Sequence, residues 1–254
     1  MTEVLSSPYV VASLFFVVAL IYSSVGLGGG SSYTALMAIL GFNALAIPMM
    51  SLALNLMVTT VGAYHFIRHK HARFKLIAPF LVTSIPMAYV GGALHLPKDI
   101  FYGVLLVSLI VVVLRIYFWS NTSFNLNLTE RGKLLVSLIA GAILGLVAGI
   151  VGIGGGVYLV PLIIILGLGT TKEAAACGAI FIWMNSLSGL LARLQYNAID
   201  FADYTPLIVA VFIGGAMGSF LGATKYPAKF MEKVLGIIIL VAIIFLLKKV
   251  ILAA

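Results

Sequence analysis

Two glycine clusters offer the most chemistry in this chain. Gly26-Leu-Gly-Gly-Gly30 recurs 126 positions later as Gly152-Ile-Gly-Gly-Gly156. Each cluster interrupts an apolar run, and consecutive glycines are poor helix formers, each costing about 1 kcal/mol relative to alanine. A helix that restarts at Ser31 or Val157 presents unpaired N–H groups and about half a positive charge at its first turn. That arrangement suits an anion. The candidate binding residues are therefore Gly28, Gly29, Gly30, Ser31 and Ser32 in the first half. In the second they are Gly154, Gly155, Gly156, Val157 and Tyr158. Ser31 and Ser32 have hydroxyls to donate, and Tyr158 aligns with Ser32. The competing reading is close helix packing through small residues.

Asn55 and Asn185 complete the candidate set. Each is an amide in an apolar segment, and the two match at an offset of 130. An amide in hydrocarbon needs a partner, either a neighbouring helix or a ligand. The clusters do not form a phosphate-binding P-loop, because no Gly-Lys-Ser/Thr follows. Gly141, Gly145 and Gly149, and likewise Gly214, Gly218 and Gly222, are spaced by four. That spacing lays one flat packing face along a membrane helix.

Other chemistries find little support. No Asp or Glu falls in the middle of an apolar run, so no buried-carboxylate proton relay is visible. His65, His69 and His71 have ligand-like spacing, but Arg68, Lys70 and Arg73 among them would repel a metal cation. Cys177 is the single cysteine, which allows no intramolecular disulfide and no cysteine cluster. No HExxH is present, so the chain is read as a non-enzyme without a cofactor. Arg193 lies near a helix end. It is expected to snorkel to the interface, its other reading being a role at an anion vestibule.

The elements that must position these groups are membrane helices. Of 254 residues, 63% are hydrophobic and only 9% charged, with a mean hydropathy of +1.20. A soluble domain has roughly 25% charge, so both a soluble globular chain and a disordered one are excluded. Glu3 and Arg68 enclose 64 residues without a charge, and Lys133 and Lys172 enclose 38. The net charge of +8 sits at the ends of apolar runs, where the positive-inside rule and anionic headgroups explain it better than nucleic acid does. Met1-Thr2-Glu3 has no basic n-region, so no cleaved signal peptide is expected.

The chain reads as an all-α polytopic membrane protein with one unit written twice. Residues 1–119 form the first membrane repeat, 120–131 a polar linker and 132–254 the second repeat, together one transport domain. Each half predicts an apolar helix (9–25, 134–151), a glycine break and a short segment (30–41, 156–167). Three longer helices follow (45–67, 76–95 and 99–118, then 173–195, 204–223 and 230–250). Hydropathy alone counts about eight spans. Residues 30–41 make only about 18 Å of helix, too short to cross about 30 Å of hydrocarbon. Each pair is therefore a re-entrant hairpin or one long broken crossing. Lys and Arg divide eleven to four between the two sides in the hairpin arrangement, and ten to five in the other. Hairpins make the repeats inverted and broken crossings make them parallel; the length argument favours inverted.

At these residues the chain resembles the TauE/SafE family of sulfite exporters and related anion permeases. The carriers are Gly26–Gly30, the run Gly152-Ile-Gly-Gly-Gly-Val-Tyr-Leu-Val-Pro161, Asn55 and Asn185, in a duplicated chain of this length. The first repeat has Ser-Tyr-Thr-Ala at 32–35 where the second has Tyr-Leu-Val-Pro at 158–161, so it lacks the proline. The resemblance implies a multi-pass transporter in the plasma (inner) membrane. Its expected partners are the bilayer and a small anion such as sulfite, sulfoacetate or a related sulfonate, with the coupling ion and any homo-oligomer left open. The rival readings are a cation or metal permease and a non-transporting membrane scaffold.

Overall fold

The computed structural model describes residues 7–24, 27–118 and 129–222, and six helical positions from 237 to 247. Gly26, Trp119, most of the 120–131 linker, Pro227 and most of the expected 230–250 helix lie outside the described residues, as do Lys225, Lys229, Lys233, Lys248 and Lys249.

Nine helices lie between Pro8 and Gly222 among the described residues. They are α1 (Pro8–Ser24), α2 (Gly30–Ile39), α3 (Ala46–Arg68), α4 (Phe74–Ala93), α5 (Lys98–Phe118), α6 (Glu130–Val151), α7 (Gly156–Ile165), α8 (Thr171–Leu194) and α9 (Thr205–Gly222). A 3-10 turn, Phe201–Tyr204, leads into α9. Five of these segments are long and apolar enough to cross a bilayer: α3, α4, α6, α8 and Phe201–Gly218; α1 and α7 are shorter.

The stripes of small residues set the packing. A Cβ on Gly141, Gly145 or Gly149 of α6 would run into the backbone carbonyls of Phe80, Ser84 and Ala88 on α4. One on Gly214 or Gly218 of α9 would run into those of Phe16 and Leu20 on α1. Backbones this close gain dispersion and Cα–H···O contacts that bulkier side chains forbid. The contact order also gives direction. Numbers rise together in both pairs, so α4 runs parallel to α6 and α1 parallel to α9. The Ser188 Oγ donates to the Ile85 carbonyl at 2.7 Å and the Tyr89 hydroxyl to Gln195 Oε1 at 2.7 Å, which makes α4 parallel to α8 as well. Gly62 faces Ala179, Thr60 accepts from Trp183 and Leu52 faces Gly189, so α3 is antiparallel to α8. The short helix α7 descends against α8: Gly156 touches Ile182, and Val160 touches Gly178.

Local signals fix the helix starts. Thr170 and Glu173 form a capping box at α8, the Glu173 carboxylate accepting the Thr170 N–H at 2.8 Å. Arg73 at the start of α4 pairs with the same carboxylate at 3.4 Å. Thr170→Ala is expected to cost about 1 kcal/mol and lower the thermal midpoint in detergent, with transport kept. An unchanged midpoint would show that tertiary packing alone holds the start of α8.

Candidate functional site

Both glycine clusters are helix breaks. The N-caps of α2 and α7 are Gly29 and Gly155, in the left-handed region at φ 94° and 79°, where a side chain is strained. Neither cap has a side-chain hydrogen bond. Ser32 and Tyr33 donate their N–H groups to the Gly29 carbonyl, as Tyr158 and Leu159 do to Gly155. The N–H groups of Gly30, Ser31, Gly156 and Val157 find no acceptor among the described residues.

Tertiary packing brings the breaks tip to tip. A Cβ on Gly30 would lie 2.6 Å from the Ile153 carbonyl oxygen and 2.5 Å from Asn55 Nδ2. Asn55 sits between the tips, fully buried. Its amide donates to the carbonyls of Ile153 at 3.2 Å and Gly152 at 3.4 Å, while its Oδ1 lies against Gly28. Ser51 Oγ reaches the Gly152 carbonyl at 2.8 Å and that of Gly30 at 3.3 Å. A side chain of the first half thus pins the backbone break of the second.

A small crevice opens at the junction, lined by Tyr22, Leu27, Gly28, Gly29, Gly30, Ser31, Ile153, Val157 and Ile182. It measures about 10 Å³, room for about one water molecule, so a larger occupant requires the tips to part. No charged side chain lines it. Tyr22 orders the hydroxyls: Ser32 Oγ donates to the Tyr22 oxygen at 2.9 Å, and that oxygen lies 2.6 Å from Ser31 Oγ. With Tyr22 accepting from Ser32 and donating to Ser31, the Ser31 proton is left for the crevice.

Of the residues expected at the site, Gly28, Gly29, Gly30, Ser31 and Val157 line the crevice, and Gly154 lies against Asn55 and Ser186 behind it. Ser32 acts through Tyr22. Gly155 faces Phe181, and Gly156 faces Ile182. The Tyr158 hydroxyl is engaged elsewhere, donating to the Ser108 carbonyl at 2.9 Å. Asn185 does not mirror Asn55: it donates to Phe181 one turn back on its own helix at 2.9 Å, although the buried Oδ1 of each asparagine has no partner among the described residues. Sequence reasoning missed Tyr22, Leu27, Ile153 and Ile182. Tyr22 was detectable as the first of three consecutive hydroxyl residues, Tyr22-Ser23-Ser24, just before a glycine break; the others are apolar and carry no signal.

One expectation is corrected. Arg193 does not snorkel. It is 6% exposed, with its guanidinium donating to the carbonyls of Gly149 at 2.9 Å and Ile150 at 2.7 Å. The break leaves the last carbonyls of α6 unpaired, and these draw the cation inward. Among the described residues, the helical bundle therefore buries one ionised side chain.

A profile described as "Sulfite exporter TauE/SafE" matches residues 11–250. A "Probable membrane transporter protein y4hK" of Sinorhizobium fredii is 35% identical over 237 residues, covering 91% of this chain and 94% of the relative. A "Probable membrane transporter protein" of Xylella fastidiosa strain 9a5c is 24% identical over 235 residues, covering 87% and 88%. No solved structure matches.

Proposed function

The chain belongs to the sulfite exporter TauE/SafE family of membrane transporters, and from that premise we propose that it moves a small sulfur oxyanion by alternating access. The substrate class is sulfite, sulfoacetate or a related organosulfonate. The observation that carries the reading is the junction of the two breaks. The free N-termini of α2 and α7 border one crevice that has no charged side chain. Two helix termini together offer about one positive charge, with backbone N–H groups as donors. A small anion matches that field. A cation is repelled by it.

Inverted repeats fit the same picture. Exchanging the halves maps α1, α3 and α9 onto α6, α8 and α4. The pair α1 and α9 is parallel, as is its counterpart α6 and α4, and α3 runs antiparallel to its counterpart α8. In the second half α6 rises and α7 descends, so the glycines form the tip of a re-entrant hairpin. Such tips, presented to each other across a pseudo-two-fold axis, are where inverted-repeat transporters hold substrate. Rocking one bundle against the other would open the tips to each side in turn, in a plasma-membrane protein.

Flux of sulfite, sulfoacetate, acetate and sodium into proteoliposomes tests this. Saturable sulfite or sulfoacetate flux is expected, without sodium flux through the crevice. Ser31→Ala removes a hydrogen bond to a charged ligand, about 1.5–3 kcal/mol, and should raise half-saturation roughly tenfold or more. Tyr22 keeps Ser32, so the fold should survive. Folded protein with no saturable anion flux, or with flux indifferent to Ser31, would overturn the reading.

A further inference from the structure

A second, wider cavity lies away from the crevice, where α3 begins and α4, α6 and α8 end. It measures about 420 Å³, within the range of small-ligand sites. Its polar lining is Arg193, Lys98, His95, Asn197 and Asn43, and no carboxylate lines it. Arg193 is the unusual member. More than nine-tenths buried, it has no ion pair among the described residues, and its Nε has no hydrogen-bond partner among them. The carbonyls of Gly149 and Ile150 take up Nη2, and the end of a helix supplies only about half a compensating charge. A buried guanidinium with a spare donor, facing a cavity shared with a lysine, is short of one anion.

We propose that this cavity binds an oxyanion group, with Arg193 as the anchoring charge and Lys98 as the second cation. The shared chemistry is a tetrahedral or pyramidal oxyanion, from a free solute or from the phosphate of an anionic lipid. The site is separate from the crevice, and it touches the crevice's frame through Arg193. The carbonyls that Arg193 holds come just before Gly152, whose own carbonyl accepts from Ser51 and Asn55. An anion here would therefore load the back of the second tip.

The test uses the full chain purified in an uncharged maltoside, with thermal unfolding followed against sodium sulfate and against sodium chloride at matched ionic strength. Sulfate is expected to raise the midpoint saturably, beyond chloride. The apparent affinity should fall tenfold or more in Arg193→Gln and several-fold in Lys98→Gln; a fall in Ser31→Ala with none in Arg193→Gln would place the sulfate in the crevice and overturn the proposal. A second arm compares nanodiscs of phosphatidylcholine with nanodiscs containing 30% phosphatidylglycerol. Arg193-dependent protection by that lipid, without a sulfate effect, assigns the oxyanion to a headgroup and still supports the site. Should Arg193→Gln fail to fold, the His95→Gln/Lys98→Gln double variant carries the test. Wild-type responses to both probes in the folded variants would overturn the proposal.

Discussion

Asn55→Ala is expected to reduce sulfite or sulfoacetate flux at least tenfold, while Asn185→Ala has a much smaller effect. The two asparagines occupy matching positions in the repeats, but only Asn55 bridges the breaks. Its amide is the donor for the Ile153 carbonyl, and its body separates Gly28 from Gly30 and Gly154. Alanine leaves that buried carbonyl unpaired, a penalty of about 1–3 kcal/mol, and empties the space that sets the distance between the tips. Asn185 gives up only a bond to its own helix one turn back. Initial rates in proteoliposomes, normalised to folded protein, measure the difference. Equal losses from the two substitutions would show that the breaks are held symmetrically, contrary to this geometry.

Gly145→Val is expected to have the largest effect on stability. Its Cβ would enter the Ser84 carbonyl and approach the Ser84 Cα at 2.6 Å. That atom is backbone, so no rotamer change relieves the clash, and α4 must move away from α6. Overpacking of this kind costs about 3 kcal/mol or more. The loss should appear as a lower thermal midpoint and less monodisperse protein on gel filtration. Gly218→Val should behave alike, since its Cβ would enter the Leu20 carbonyl of α1. Gly103→Val is the control, because a Cβ there meets open space. If Gly145→Val matched that control, the stripes would not be the close contacts described.

Much of the architecture was legible in the sequence because the bilayer imposes simple rules. Uncharged runs of the right length have to be helices, and the expected segments fall within a few residues of α1 to α9. Gly141, Gly145 and Gly149 announced a flat face through their spacing alone. The glycine clusters announced breaks because three glycines in a row forfeit helix propensity wherever they fall. These are local properties, carried by a residue and its near neighbours.

The site was legible only in outline. Repetition flagged Asn55 and Asn185 as equals, yet repetition records ancestry and not present contacts. Tyr158 aligned with Ser32, but its ring carries the hydroxyl out to Ser108. Arg193 looked like an interfacial cation, since one-dimensional position measures distance to a span end and says nothing of neighbouring carbonyls. Ile153 and Ile182 line the crevice through shape alone.

The sequence by itself therefore determined membrane residence, helix limits, the two breaks and the packing stripes, because each follows from hydrocarbon solvation or backbone propensity over a few consecutive residues. Only the tertiary structure decided which break each polar side chain serves and where the uncompensated charge lies. Those outcomes depend on groups far apart in the chain, as when Asn55 meets Ile153 and Arg193 meets Gly149. A buried donor pairs with the nearest unpaired carbonyl in space, and nothing local in the sequence says which carbonyl that is.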